Sequence, residues 1–222
     1  LIFSSSATVY GDPQCLPIGE QHPASATHPY GRCKLQIEEI LADVAKSDSN
    51  WHIASLRYFN PVGAHDSGLI GEDPNDIPNN LMPYIARVAS GDLPYLNVYG
   101  NDYATPDGTG VRDYIHVIDL AQGHTAALHF LQHKVGFHLF NLGTGKGYSV
   151  LEMIKAFEQA SGKPIPYRIS SRRAGDVATC YAKADKAATD LGWKATQTLH
   201  DMCASTWGFQ KKTINGKLIR NG

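Results

Sequence analysis

Helical and extended segments alternate along this chain of 222 residues, and that alternation confines it to an α/β architecture. Residues 29–46 carry Leu35, Ile37, Ile40, Leu41 and Val44 as a helical stripe, with Pro29 suited to the first turn. Residues 52–59 form a short apolar strand that Asn60-Pro61 stops. Further helices are expected over 80–90, 119–132 and 150–160, with a last one ending near Gln210. Strands are expected over 96–99, 111–117 and 137–142, and a Gly/Asp-rich loop over 101–110. Ser149 with Glu152 spells a capping box, and Thr198 with Asp201 a weaker one. Leu1-Ile2-Phe3 reads as the end of a buried strand running into a polar loop, Ser4-Ser5-Ser6, and residues 213–222 read as a frayed tail. A chain seldom begins inside a buried strand, so a longer parent protein is expected.

Bulk properties exclude several function classes. The net charge is −1, and the basic residues are scattered apart from the pairs Arg172-Arg173 and Lys211-Lys212, so no stripe tracks a nucleic-acid backbone. The four cysteines, Cys15, Cys33, Cys180 and Cys203, form no CxxC pair and no Cys/His spacing suited to zinc. With ten dispersed histidines, this argues for no metal and for a reducing, cytoplasmic setting. No apolar run has the length of a membrane span or of a signal peptide, so no membrane partner is expected.

The chemistry-bearing pattern is Tyr30-Gly31-Arg32-Cys33-Lys34. Residues four apart on a helix share a face, so both end side chains can reach one site. By itself Tyr-x-x-x-Lys describes any amphipathic surface pair. The preceding strand end at Ser4-Ser5-Ser6 adds weight, because α/β sheets place ligands beyond the carboxyl ends of parallel strands. A phenol, with an ordinary pKa of about 10, is a poor base at neutral pH; an ammonium one turn away favours the phenolate. Ser6 is suited to holding a substrate hydroxyl or relaying its proton.

Ser6, Tyr30 and Lys34, in this order on a strand end and the next helix, resemble the triad of the short-chain dehydrogenase/reductase superfamily. Longer strings sharpen the resemblance: 4–11 (SSSATVYG), 57–65 (RYFNPVGAH), 71–74 (GEDP), 77–84 (IPNNLMPY), 107–116 (DGTGVRDYIH) and 173–176 (RAGD). Together they look like the UDP-glucose 4-epimerase family from Ile2 to about Gln210. Related dehydratases carry acidic residues in the strand-end loop to eliminate water, whereas this chain has Ser6-Ala7-Thr8 there.

The resemblance implies the C-terminal part of a Rossmann-type doubly wound parallel sheet, with a smaller α/β substrate domain. The sheet part is expected over 1–60, completed by about 111–140, and the substrate domain over 61–110 and 141–212. Roughly a hundred residues of dinucleotide-binding domain, including its glycine fingerprint, are expected upstream. Gly143-x-Gly145-x-Gly147 lacks the fingerprint spacing and reads as a strand-to-helix loop.

By the same resemblance the activity is interconversion of UDP-glucose and UDP-galactose through a 4-keto sugar, with NAD as cofactor. The alternatives are a sibling nucleotide-sugar enzyme or, for the isolated chain, an inactive sugar-nucleotide-binding domain. Tyr30 is the implied acid/base. Lys34 holds the nicotinamide ribose, Ser6 contacts both cofactor and sugar, and Tyr58 and Phe59 lie beside the cofactor. Ala7, Thr8, Asn60, Asn79, Asn80 and Leu81 match substrate-contacting positions, Asn97, Val98 and Tyr99 the uracil-lining segment, Arg112 and Arg173 the diphosphate positions, and Asp176 a ribose contact. Ala174 departs from a glutamate found in many members, with little effect expected. Cys180 falls where relatives restricted to unmodified hexoses carry tyrosine, which implies acceptance of UDP-GlcNAc and UDP-GalNAc; a buried structural cysteine is the competing reading. The resemblance also implies a homodimer of the full-length protein, packed partly through the Tyr30 helix.

Overall fold

The structure is a computed structural model that describes residues 1–220, with side chains through residue 214. Its first layer is a three-stranded parallel sheet. Strand β1 (Ile2–Ser6) leads through a 3-10 turn at Ala7–Tyr10 to helix α1 (Pro29–Ser47), which returns the chain to β2 (His52–Tyr58). The order is β1-β2-β6, with Ser6 opposite Tyr58 and Tyr58 opposite Leu142, where β6 is Gly136–Leu142.

The remaining elements follow in chain order. They are β3 (Asn60–Val62), α2 (Leu81–Ala89), β4 (Leu96–Tyr99), β5 (Val111–His116) and α3 (Val117–Leu131), then, beyond β6, β7 (Gly147–Ser149), α4 (Val150–Ser161), β8 (Tyr167–Ser170), β9 (Thr179–Cys180), α5 (Asp185–Asp190) and α6 (Leu199–Arg220). Strand β5 pairs with β3, β7 and β9, while β4 pairs with β8. The protein is therefore α/β, as expected, with parallel pairing apart from the antiparallel β5–β7 pair.

Three apolar cores support the fold, one of them formed by Ala7, Val9, Tyr10, Ile18, Phe59 and Ala182. Leu56 on β2 and Phe140 and Leu142 on β6 pack with Leu120 and Ala127 on α3 and with Trp193. Helices α2, α4 and α6 bury Met82, Ile85, Met153, Phe157 and Trp207 beside Leu96 and Val98 on β4.

Four local expectations change. Ser4, Ser5 and Ser6 lie inside β1, with Ser5 and Ser6 buried, because the β ladder to β2 runs on through Ser6. Strand β5 joins β3, β7 and β9, so of the strands in the 111–140 stretch only β6 pairs with the first sheet, although Ile115 on β5 packs into its core. Helix α3 begins at Val117, two residues before Asp119, because His116 caps it. Helix α6 continues past Thr213 to Arg220, where a frayed tail was expected; residues 221–222 lie outside the described residues.

The cap of α3 has a pH signature. His116 is buried; its Nδ1 accepts the Ile118 amide at 3.1 Å, and its Nε2 meets Ser205 Oγ at 3.0 Å. An accepting Nδ1 requires an unprotonated nitrogen, so the ring is neutral. Burial lowers its pKa below the ordinary 6.5, opposed by Asp119, Asp66 and Asp201. The folded state thus disfavours the charged ring: its contribution is complete above pH 6.5 and is lost as pH falls through the depressed folded value. The melting temperature is expected to drop on acidification below that pH, and to drop less in His116→Asn, which keeps a capping oxygen. A pH series of thermal melts, with an equal drop in both proteins as the contrary result, tests this.

Candidate active site

The helix that carries Tyr30 is positioned by a close approach. His28 caps α1, accepting the Gly31 amide on Nδ1 at 3.3 Å, and Pro29 enters the first turn. A Cβ on Gly31 would stand 2.6 Å from the Thr8 carbonyl oxygen, so glycine there lets the helix touch the 3-10 turn. Tyr30 is thereby brought beside Ser6-Ala7-Thr8. Its ring is 57% exposed, and its hydroxyl makes no hydrogen bond to the described residues.

The helix docks on the sheet through charge. Glu38 and Gly31 are its buried residues, whereas Ile37 and Ile40 of the expected apolar stripe are exposed. Glu38 accepts from Arg57 Nε on β2 at 3.0 Å and from Ser55 Oγ at 3.0 Å. Burial, the largest influence, works against the Arg57 charge, but the hydrogen bonds and charge of Glu38 together with Tyr10 outweigh it and raise the arginine pKa. Arg57 also lies 4.7 Å from the Tyr10 ring centroid. The carboxylate is thus neutralised inside the layer, while Leu35 of the stripe packs against the cluster around Tyr10 and Phe59, and Ile37 and Ile40 face outward.

Lys34 reaches back along α1. Its Nζ donates to the Ser4 carbonyl at 2.8 Å and stands 5.5 Å from the Tyr30 ring centroid. Ser4 Oγ meets the Tyr58 hydroxyl at 2.6 Å, and that hydroxyl also contacts His124 Nε2. Ser6 Oγ accepts from Thr8 N at 3.2 Å and from Thr8 Oγ1 at 2.9 Å. Two accepted bonds leave the Ser6 proton available to a ligand.

Two adjoining cavities, about 440 and 290 Å³ in volume, run from Tyr30 to Tyr99. Ser6, Ala7, Thr8, Tyr30, Tyr58, Phe59 and Cys180 line the larger; Asn79, Leu81, Asn97, Val98, Tyr99 and Arg173 line the smaller; Asn60, Asn80, Arg112 and Asp176 line both. Of the residues expected from sequence, only Lys34 lies off these walls. The Arg173 guanidinium lies 3.9 Å from the Tyr99 ring centroid. Arg112 Nη2 faces Asp176 Oδ1 at 3.6 Å. Burial pushes the Cys180 thiol up to about 11, which keeps it a small protonated wall group and not a thiolate.

A buried carboxylate supports this wall. Asp113 accepts from Thr144 N and Oγ1, Gly145 N and Ala182 N, at 2.6 to 3.1 Å. Burial raises its pKa, and those donors oppose the rise. The Gly143-x-Gly145-x-Gly147 loop therefore cradles an internal anion. By fixing the segment after Cys180 against β5, it sets Cys180 opposite Arg112 in the ladder. The sequence reading missed Ser4, His124 and Asp113 as supports; an aspartate inside an apolar strand was the available signal for Asp113. No group of three or more His, Cys, Asp or Glu among the described residues is placed to hold a metal, and no described helix is long and apolar enough to cross a membrane.

Known proteins resemble this chain along nearly its whole length. The family model described as GDP-mannose 4,6 dehydratase matches residues 1–206. The UDP-glucose 4-epimerase of Bacillus subtilis (strain 168) is 59% identical over 216 residues, covering 97% of this chain and 64% of that protein. Among solved structures, the UDP-glucose 4-epimerase of Stenotrophomonas maltophila with bound NAD and formylated UDP-arabinopyranose superposes with TM-score 0.95 at 54% identity, covering 97% of this chain and 64% of that one. The enzyme of Bifidobacterium longum in complex with NAD+ and UDP does so with TM-score 0.93 at 61% identity and the same coverage. The chain thus spans less than two thirds of the length of these relatives. With the family match running over nearly its whole length, the chain belongs to the GDP-mannose 4,6 dehydratase family.

Proposed function

We propose that this chain carries the proton-handling and substrate-facing part of an NAD-dependent UDP-glucose 4-epimerase. One observation carries the reading: an exposed Tyr30 hydroxyl shares a continuous trough with Ser6 and Thr8 at one end and Arg112, Arg173 and Tyr99 at the other. Such a trough suits a hexose, a diphosphate and a base in line. The relatives near 60% identity are named UDP-glucose 4-epimerase, which supports the same choice within the family.

The residues present fit the nicotinamide-ribose end of NAD. Lys34 spends one N–H on Ser4, leaving two for ribose hydroxyls, and Tyr58 and Phe59 supply an aromatic wall. When bound, NAD supplies the hydride acceptor and donor. Tyr30 removes the proton from the sugar 4-hydroxyl and later returns it, with the Lys34 ammonium alongside to stabilise the developing negative charge. Ser6 and Thr8 hold the sugar, and Arg112 and Arg173 hold the diphosphate through charge-assisted hydrogen bonds. The 4-keto sugar turns over between the two hydride transfers. No carboxylate stands in Ser6-Ala7-Thr8, so elimination of water has no acid there.

Supplying NAD and UDP-galactose to the protein, in the longest form its gene encodes, is expected to yield UDP-glucose; no product overturns the assignment. We further assign Cys180 to the hexose wall as the residue that admits an N-acetyl group. Cys180→Tyr is expected to abolish conversion of UDP-GlcNAc to UDP-GalNAc while sparing UDP-glucose, and an unchanged substrate range is the contrary result. We place self-association of the complete protein on α1, whose Ile37 and Ile40 are exposed.

A further inference from the structure

Tyr103 is buried at 7% exposure, yet its hydroxyl has no hydrogen-bond partner among the described residues. An orphaned buried hydroxyl is costly, which marks a group whose partner arrives later. The same residue lines the smaller cavity, with Tyr99, Arg112, Arg173 and Asp176.

The ring is built into one place. Its amide donates to the Gly108 carbonyl at 2.9 Å. The Arg172 guanidinium covers it at 4.1 Å from the centroid, and Asp102 holds that arginine by a 2.7 Å bond to Nε. On another side, a Cβ at Gly100 would stand 2.6 Å from Tyr103 Cε2, and Gly100 has φ +84°. A ring flip leaves a phenol oxygen where it was, since the oxygen lies on the flip axis. Rotation about the ring axis therefore offers the hydroxyl no other partner.

Asp176, Arg172, Arg112 and Asp102 are among the charged groups near this hydroxyl, and Arg173 lines the same cavity. Asp176 and Arg112 already face one another across the trough. A nucleotide diphosphate entering the trough takes the Arg112 guanidinium, because a diphosphate offers more anionic oxygens than one carboxylate. Asp176, whose side chain is 42% exposed and follows the positive-φ Gly175, is then free to turn.

Resting on the nucleotide-sugar reading, we propose that Tyr103 is a further nucleotide-binding residue that acts through Asp176, its hydroxyl donating to the carboxylate that the incoming diphosphate displaces from Arg112. Tyr103 is a positioning residue: it holds Asp176 for the ribose and is satisfied only in the complex.

The test is calorimetric titration of UDP into the wild-type protein, Tyr103→Phe, Asp176→Asn and the double variant, with melting curves of each without ligand. Tyr103→Phe is expected to weaken UDP binding roughly tenfold. Its unliganded melting temperature stays level or rises, because the orphaned hydroxyl is gone, and the loss of affinity shrinks when Asp176 is already Asn. A wild-type protein that takes up no UDP overturns the nucleotide-sugar reading and this inference together. UDP binding that is normal in wild type and unchanged in Tyr103→Phe overturns the inference alone. So does a fall in the unliganded melting temperature, the mark of an ordinary structural tyrosine, or an undiminished loss in the Asp176→Asn background.

Discussion

Tyr30→Phe is expected to lower turnover of UDP-galactose by roughly 10²- to 10⁴-fold while leaving UDP binding and the melting temperature nearly unchanged. The separation follows from where the hydroxyl sits. It is exposed and makes no hydrogen bond to the described residues, so its removal breaks no contact of the folded state. Surface changes of that kind stay within about 0.5 kcal/mol. The ring remains, and with it the wall beside Thr8; only the atom that exchanges the 4-hydroxyl proton is lost. Steady-state rates with UDP-galactose and NAD, paired with titration of UDP, measure both quantities. Turnover within a few-fold of wild type would remove Tyr30 from the chemistry.

The largest expected loss of stability comes from about two turns further along the same helix. Glu38→Ala leaves the Arg57 guanidinium in the layer between α1 and β2, where side chains of both partners are 4% exposed. Removing one member of a buried ion pair costs about 3 to 5 kcal/mol, mainly because the other charge is left without compensation. In a protein of this size, that lowers the melting temperature by on the order of 10 °C. One guanidinium nitrogen, Arg57 Nη1, already lacks a partner, so the arginine has no reserve of bonds to draw on. The double variant Glu38→Met with Arg57→Met is expected to recover much of the loss, since a buried pair replaced by apolar groups of similar volume is often tolerated. Denaturation of the two variants separates a charge penalty from a packing defect. Equal instability in both would point to packing.

These two predictions lie on one helix, and only the first of them was legible in the sequence. Tyr30 and Lys34 were legible because a helical repeat places residues four apart on one face, whatever surrounds them. Ile37 and Ile40 looked like part of the buried stripe, and nothing in the sequence marked Glu38 as buried. That inversion could not be read locally, since the partner of Glu38 is 19 positions away on the neighbouring strand. The same limit hid Asp113, whose donors come from residues 144, 145 and 182, and Tyr103, whose significance lies in a bond it lacks.

The sequence by itself determined the α/β alternation, the capping box at Ser149 and Glu152, and the helix bearing Tyr30 and Lys34, because each depends on backbone periodicity or on groups within a few residues. Only the tertiary structure decided that β5 joins β3, β7 and β9, that the glycine loop cradles Asp113 and that α1 docks through a buried ion pair. Strand partners and buried charges are chosen by burial and by hydrogen-bonding groups remote in the chain, and the energy of those choices exists only once the layers have come together.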